Sequence, residues 1–175
     1  MNLSEHFTLE ELTYSDTANK YHASNLPTEN HLKTLKHTCD YFLEPLRELL
    51  NKRFVNGIFL GQKIKKVIIK ITSGYRSKVV NGLLREEGYH PSETSQHCTG
   101  EAVDIEVVLI AENNTRLILP YTQLFDIIKS YCKFTNQLSV DQCIQEKQGN
   151  AVWVHCSYSA WGKTKNRNDF KKLNY

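Results

Sequence analysis

Apolar positions recur at helical spacing in the first third of the chain and alternate like strands in much of the remainder. Thr8-Leu9-Glu10-Glu11-Leu12 opens a short helix, with Thr8 as cap and Glu11 completing a capping box. A long helix begins near Pro27-Thr28-Glu29. Along it Leu32, Leu35, Cys39, Phe42, Leu46, Leu49 and Leu50 recur at three- and four-residue spacing and make one buried stripe. Lys33, Lys36, Asp40, Glu44, Arg47 and Glu48 form its solvated face. Pro45 inside this pattern predicts a kink or a split, because proline has no N–H and its ring crowds the carbonyl one turn back.

Val67-Ile68-Ile69-Lys70-Ile71-Thr72 is short and β-branched, which predicts a central strand. Gly74 ends it, Ser77 caps, and a helix runs from Lys78 to Glu87 and stops at Gly88. A polar loop, Tyr89 to Gly100, leads into a second strand from Ala102 to Ile110. Ala111 to Leu119 reads as a substrate-contacting hairpin or as an ordinary loop. Leu124, Phe125, Ile127, Ile128 and Tyr131 give Pro120–Cys132 a helical period. Strands near Gln142–Lys147 and Val152–Tyr158 follow, joined by a turn at Gly149-Asn150. Helices first, then a sheet interrupted by helices, predict an α+β fold with a mainly antiparallel sheet and helices packed on it.

Composition adds bounds. A chain of 175 residues with 40% hydrophobic and 23% charged positions supports one globular domain, residues 1–175, rather than two. The net charge of +3 comes without a long basic block, which argues against a nucleic-acid partner. No apolar run is long enough for stable membrane insertion. The start, Met1-Asn2-Leu3-Ser4-Glu5-His6, lacks the pattern of a secretory signal, so the expected place of synthesis is the cytoplasm. Five cysteines without a CxxC pair read as reduced thiols, mostly small core residues.

Three segments carry candidate chemistry. In Ser95-Gln96-His97-Cys98-Thr99-Gly100-Glu101-Ala102-Val103-Asp104, a loop histidine precedes an aspartate near the start of a strand. Asp104 shares a strand face with Ala102 and Glu106, and Gly100 lets the chain turn so that His97 approaches it. The plainer alternative is a loop His and an edge Asp in water. In Val152-Trp153-Val154-His155-Cys156-Ser157-Tyr158, alternation puts Trp153, His155 and Ser157 on one face and Cys156 on the other. Alone, His155 is as well explained as a hydrogen-bonded core residue. With His97 and Asp104 it completes a His/Asp/His set, the three-ligand pattern of a catalytic zinc that keeps one position for water. In Ile71-Thr72-Ser73-Gly74-Tyr75-Arg76-Ser77, a guanidinium just past a strand end suits a carboxylate or an oxyanion, or merely caps a helix at the surface. His6, His22, His31, His37 and His90 read as surface or helix residues without a role.

Ser73-Gly74-Tyr75-Arg76-Ser77, Ser95-Gln96-His97 through Gly100, Ala102 and Asp104, and Trp153-Val154-His155-Cys156-Ser157 resemble the ordered motifs of the zinc D-Ala-D-Ala carboxypeptidase family. The opening Glu5-His6-Phe7-Thr8-Leu9-Glu10-Glu11-Leu12 is similar to the start of small members. The family includes peptidoglycan carboxypeptidases, vancomycin-resistance dipeptidases and phage endolysins, and shares a fold with the hedgehog signalling domain. The resemblance implies a zinc metallopeptidase, either a carboxypeptidase or an endolysin-type endopeptidase, that cuts peptidoglycan stem peptides beside a D-amino acid. It makes His97, Asp104 and His155 the Zn2+ ligands, with Arg76 binding and polarising the substrate and Ser95 contacting its terminal carboxylate.

Some family branches carry an acid three residues before the last His, where this chain has Val152. The branch it most resembles has a Glu ending the preceding strand, which matches Glu146; Asp141 and Glu106 are the alternatives as catalytic base. Trp153 walls the substrate cleft or is simply core, and Cys98 is an alternative ligand. A monomeric phage or prophage lysin, or a virion-associated protein, acting in cell wall degradation is the expected setting. Two other readings keep the fold without the chemistry: a cell-wall or protein-binding module, and a structural component of a virion.

Overall fold

The computed structural model describes residues 1–159 and 166–175. Helices α1 (Leu9–Thr13) and α2 (Asp16–Lys20) come first. Thr8 and Glu11 form the reciprocal capping box that the sequence predicts. Helix α3 (Glu29–Thr38) runs through a π-helical turn, Cys39–Leu43, into α4 (Glu44–Phe54). The long helix is therefore neither split nor ended at Pro45. The carbonyl that the proline ring would crowd, on Tyr41, lies inside the widened turn, where bonds reach one residue further back. The stripe stays buried through it: Leu35, Cys39, Phe42, Leu43, Leu46 and Leu50 have no exposed surface. Glu44 ties the N-terminus to this helix, accepting from the Ser4 hydroxyl at 2.7 Å and the His6 backbone N–H at 2.8 Å.

Strands β1 (Ile58–Phe59) and β2 (Gln62–Ser73) follow, then α5 (Lys78–Glu86), a 3-10 turn (Gln96–Thr99), β3 (Ala102–Ala111) and β4 (Arg116–Ile118). Helix α6 (Tyr121–Lys133) and strands β5 (Gln142–Gln148), β6 (Ala151–Ser157) and β7 (Asp169–Asn174) complete the order. The sheet runs β1-β2-β3-β6-β5-β7, with β4 alongside β3. Its pairings are antiparallel except β5 with β7, which is parallel. This mixture of helices and one sheet is compatible with an α+β class. Strand β2 starts five residues before the predicted segment because its lysine-rich first half pairs with the end of β3. The Ala111–Leu119 segment is a hairpin whose edge strand β4 pairs with β3, and none of its residues reaches the cavity described below.

The α3–α4 helix and α6 supply residues to the same core cluster as the apolar face of the sheet. On that face Cys143 and Cys156 are register partners, both buried, with sulfurs 3.9 Å apart as free thiols. The opposite face holds a row of register partners crossing five strands: Ser73, Asp104, His155, Ile144 and Lys171. Residues directly opposite one another in a sheet share a face, so register alone brings Asp104 and His155 together.

Candidate metal centre

The 3-10 turn delivers His97 to that row. Gly100 ends the turn at φ +77°, a left-handed conformation that a side chain resists, and an added Cβ would meet Leu35 at 3.0 Å. Gly74 serves a different need. Its backbone lies so close to α1 that any Cβ would strike the Leu12 carbonyl oxygen. That approach lets the Tyr75 N–H donate to the Leu12 carbonyl at 2.6 Å and presents the Gly74 carbonyl to His97 Nδ1 at 2.7 Å. With Nδ1–H donating to the carbonyl, Nε2 carries the lone pair and faces Asp104 and His155.

His97 Nε2 lies 3.1 Å from His155 Nδ1 and 3.4 Å from Asp104 Oδ1, and His155 Nδ1 lies 3.1 Å from Asp104 Oδ1. Around a tetrahedral zinc at ordinary ligand distances, neighbouring ligand atoms stand about 3.3 Å apart. Two imidazole nitrogens and a carboxylate oxygen at this spacing fit a divalent cation, and the three side chains could hold one. Protons alone fit the trio less well, since the single Nδ1–H available to His155 meets two acceptors at equal distance. Side-chain exposures are 2% for His97, 13% for Asp104 and 11% for His155.

Electrostatics favour the metal-ready forms. Burial, helped by the Arg76 charge, pushes His97 down to about 4, so its imidazole is neutral at physiological pH. Burial works to raise Asp104, but attraction to the His97 and His155 rings whenever these carry a proton outweighs it and holds the carboxyl below the usual range. A neutral imidazole and an ionised carboxylate are the states that bind a cation.

All three line a cavity of about 1040 Å³ together with Arg76, Ser95, Glu146 and Trp153. Arg76 donates from Nη2 to Ser95 Oγ at 3.4 Å and from its backbone N–H to the His97 carbonyl at 3.1 Å. Its Nε is buried with no acceptor among the described residues. Glu146 is paired with Trp153 in register, one pair from His155 on the same face. Burial first, and the Asp104 charge as well, push the Glu146 carboxyl up.

The other proposed acids lie elsewhere. Asp141 is buried off the cavity wall and bound by Arg167; Glu106 is hydrogen-bonded by the Tyr121 hydroxyl at 3.1 Å and lies 3.7 Å from Lys70. Neither is among the residues that line the cavity. Cys98, half-buried, is not among the converging groups, and Cys156 faces the core. His90, given no role from sequence, lines the cavity. Arg167 and the Gly74 carbonyl were missed. A backbone acceptor leaves no residue signal, and Arg167 lies in a polar stretch without periodicity.

Comparison with family models matches residues 60–141 to Peptidase M15. The matched span includes Arg76, Ser95, His97 and Asp104 and ends before Glu146, Trp153 and His155. No curated protein and no solved structure matches the chain.

Proposed function

Starting from Peptidase M15, the zinc D-Ala-D-Ala carboxypeptidase-like family, as the family of this chain, we propose that it is a zinc metallopeptidase hydrolysing peptidoglycan stem-peptide bonds next to a D-amino acid. The observation that carries this reading is the convergence of His97, Asp104 and His155 on the wall of a peptide-sized cavity. The hedgehog/D-Ala-D-Ala peptidase-like fold, with its mainly antiparallel sheet and residues 1–175 as one unit, goes with it.

Zinc, when bound, supplies Lewis acidity: it lowers the pKa of water and polarises a peptide carbonyl. The chain's own groups do the remaining work. His97, Asp104 and His155 would hold the ion, and the Gly74 carbonyl keeps His97 in the tautomer that leaves Nε2 free for it. A Glu146 carboxylate oxygen takes the proton of the attacking water and returns it to the leaving amine. Its raised pKa suits both halves of that task. Arg76 offers uncommitted guanidinium donors to the developing oxyanion, and Ser95 meets the substrate's carboxylate. Trp153 walls the cleft on the His155 side.

Zinc-loaded protein incubated with defined muropeptides, with products read by mass spectrometry, tests the proposal. A single hydrolysed bond beside a D-residue is expected. Glu146→Gln should lose at least about a hundredfold in kcat, the scale of one acid–base group, while keeping its zinc. Bound zinc with no cleavage of any muropeptide would mean a binding module instead.

A further inference from the structure

Arg167 reaches the cavity wall from the segment leading into β7, outside every motif above. Its Nε and Nη2 donate to Asp141 Oδ1 and Oδ2, each at 2.7 Å. This two-pronged pairing fixes the plane of the guanidinium. Asp141 is 2% exposed and also accepts from Gln96 Nε2 at 3.0 Å, which links the pair to the residue before His97. The Arg167 side chain is nevertheless 56% exposed, and its Nη1 has no partner among the described residues. One edge of the fork is pinned from behind; the other is open.

Asp141 also accepts the Arg167 backbone N–H at 3.4 Å and so braces the start of β7, but that task leaves the open, half-exposed edge of the guanidinium unused. That edge is well suited to binding. A guanidinium immobilised before the ligand arrives gives up little conformational freedom on contact, and its free N–H groups match a carboxylate. Arg76 stands in the same cavity with its own donors, so two cations address one bound peptide.

We infer that Arg167 is a specificity-determining residue whose open edge takes a second carboxylate of the peptide, distinct from the one that meets Ser95, with Asp141 as the group that positions it. This rests on the peptidase reading and narrows its substrates to peptides carrying at least two carboxylates. Because Asp141 offsets part of the charge and solvent reaches the site, the preference for a free acid over its amide is about three- to tenfold.

The test compares two short D-residue peptides, identical except that one carboxylate is free or amidated. Their binding to zinc-loaded Glu146→Gln protein is measured by calorimetric titration, which needs no cleavage. The free acid should bind three- to tenfold tighter, by the same estimate. That ratio should fall to about one in Arg167→Gln, and persist in part in Arg167→Lys. In the double variant Asp141→Asn/Arg167→Gln, no buried carboxylate is left unpaired, and the ratio should again be about one. Zinc content and melting temperature are recorded for each variant, since a merely structural role would move those and not the ratio. No preference in the parent protein, no binding of either peptide, or a preference surviving in the double variant would overturn the inference. Absence of cleavage by the wild-type enzyme on the same peptides counts against the peptidase reading alone.

Discussion

Replacing Gly74 by alanine adds a single methyl group, yet the structure leaves no room for it. The new carbon would strike the Leu12 carbonyl oxygen and stand 2.9 Å from the carbonyl carbon, both backbone atoms that cannot rotate away. Either α1 lifts from the loop or the loop retreats from α1. The Tyr75–Leu12 hydrogen bond is then stretched, and the Gly74 carbonyl moves relative to His97 Nδ1. Overpacking of this kind costs about 1–3 kcal/mol and a weakened hydrogen bond about 1 kcal/mol more. A total of about 3 kcal/mol lowers the melting temperature by about 6–12 °C for a chain of this size. If His97 holds a metal, loss of the carbonyl that orients its ring should reduce metal affinity about ten- to hundredfold. Thermal unfolding with and without zinc, together with zinc competition by a chelating dye, measures both effects. Gly82→Ala is the control: it lies inside α5 with nothing within 4 Å of an added Cβ, so alanine there should be neutral or stabilising by up to about 1 kcal/mol. A Gly74→Ala protein with parental melting temperature and zinc affinity would refute the claim that this close approach positions His97.

Other outcomes follow from the same geometry. Chelation should lower the melting temperature of the parent protein but leave Asp104→Asn almost unchanged, because metal bound only by the folded site adds to its stability; equal responses would show that Asp104 is not a ligand. Arg76→Lys should reduce kcat at least about tenfold with little change in thermal stability, as lysine cannot present a planar fork; undiminished turnover would remove Arg76 from the chemistry. The Arg167 hydrogen bonds, opposed by burial, hold the Asp141 carboxyl below its ordinary value. Its stabilising contribution is therefore complete above the ordinary carboxylate range and drains away as pH falls through the lowered value. Unfolding by denaturant across the acid range should show a shallower loss of stability in the Asp141→Asn/Arg167→Gln variant; parallel curves would refute this.

Much of the architecture could be read from the chain because its elements bury one face each. The leucine stripe of α3–α4, the β-branched run in β2 and the turn at Gly149-Asn150 all appear where the periodicity puts them. Arg76, Ser95, His97, Asp104 and His155 likewise lie on one cavity. What stayed hidden has physical reasons. Helix α2 is five residues long, too short to show a period, and is set by the Ser15 cap. Strand β7 has four exposed residues of six and owes its conformation to β5 alongside it, not to its own pattern. The π-helical turn is invisible because the apolar spacing is satisfied on either side of it. Arg167 was unreadable since its significance depends on Asp141, 26 positions away and buried for another element's sake. That Glu146, and not Asp141 or Glu106, lines the cavity could be seen only with the register of β5 on β6 in hand.

The row that joins Asp104 to His155 has one more implication, for biosynthesis. Asp104 on β3 and His155 on β6 are 51 positions apart in the chain, and only the pairing of their strands completes the trio. A nascent polypeptide emerging from the ribosome exposes His97 and Asp104 well before their third companion, so no intermediate of translation can chelate the ion in the finished manner. Any ion held by all three groups at once must therefore wait for the non-local closure of the sheet.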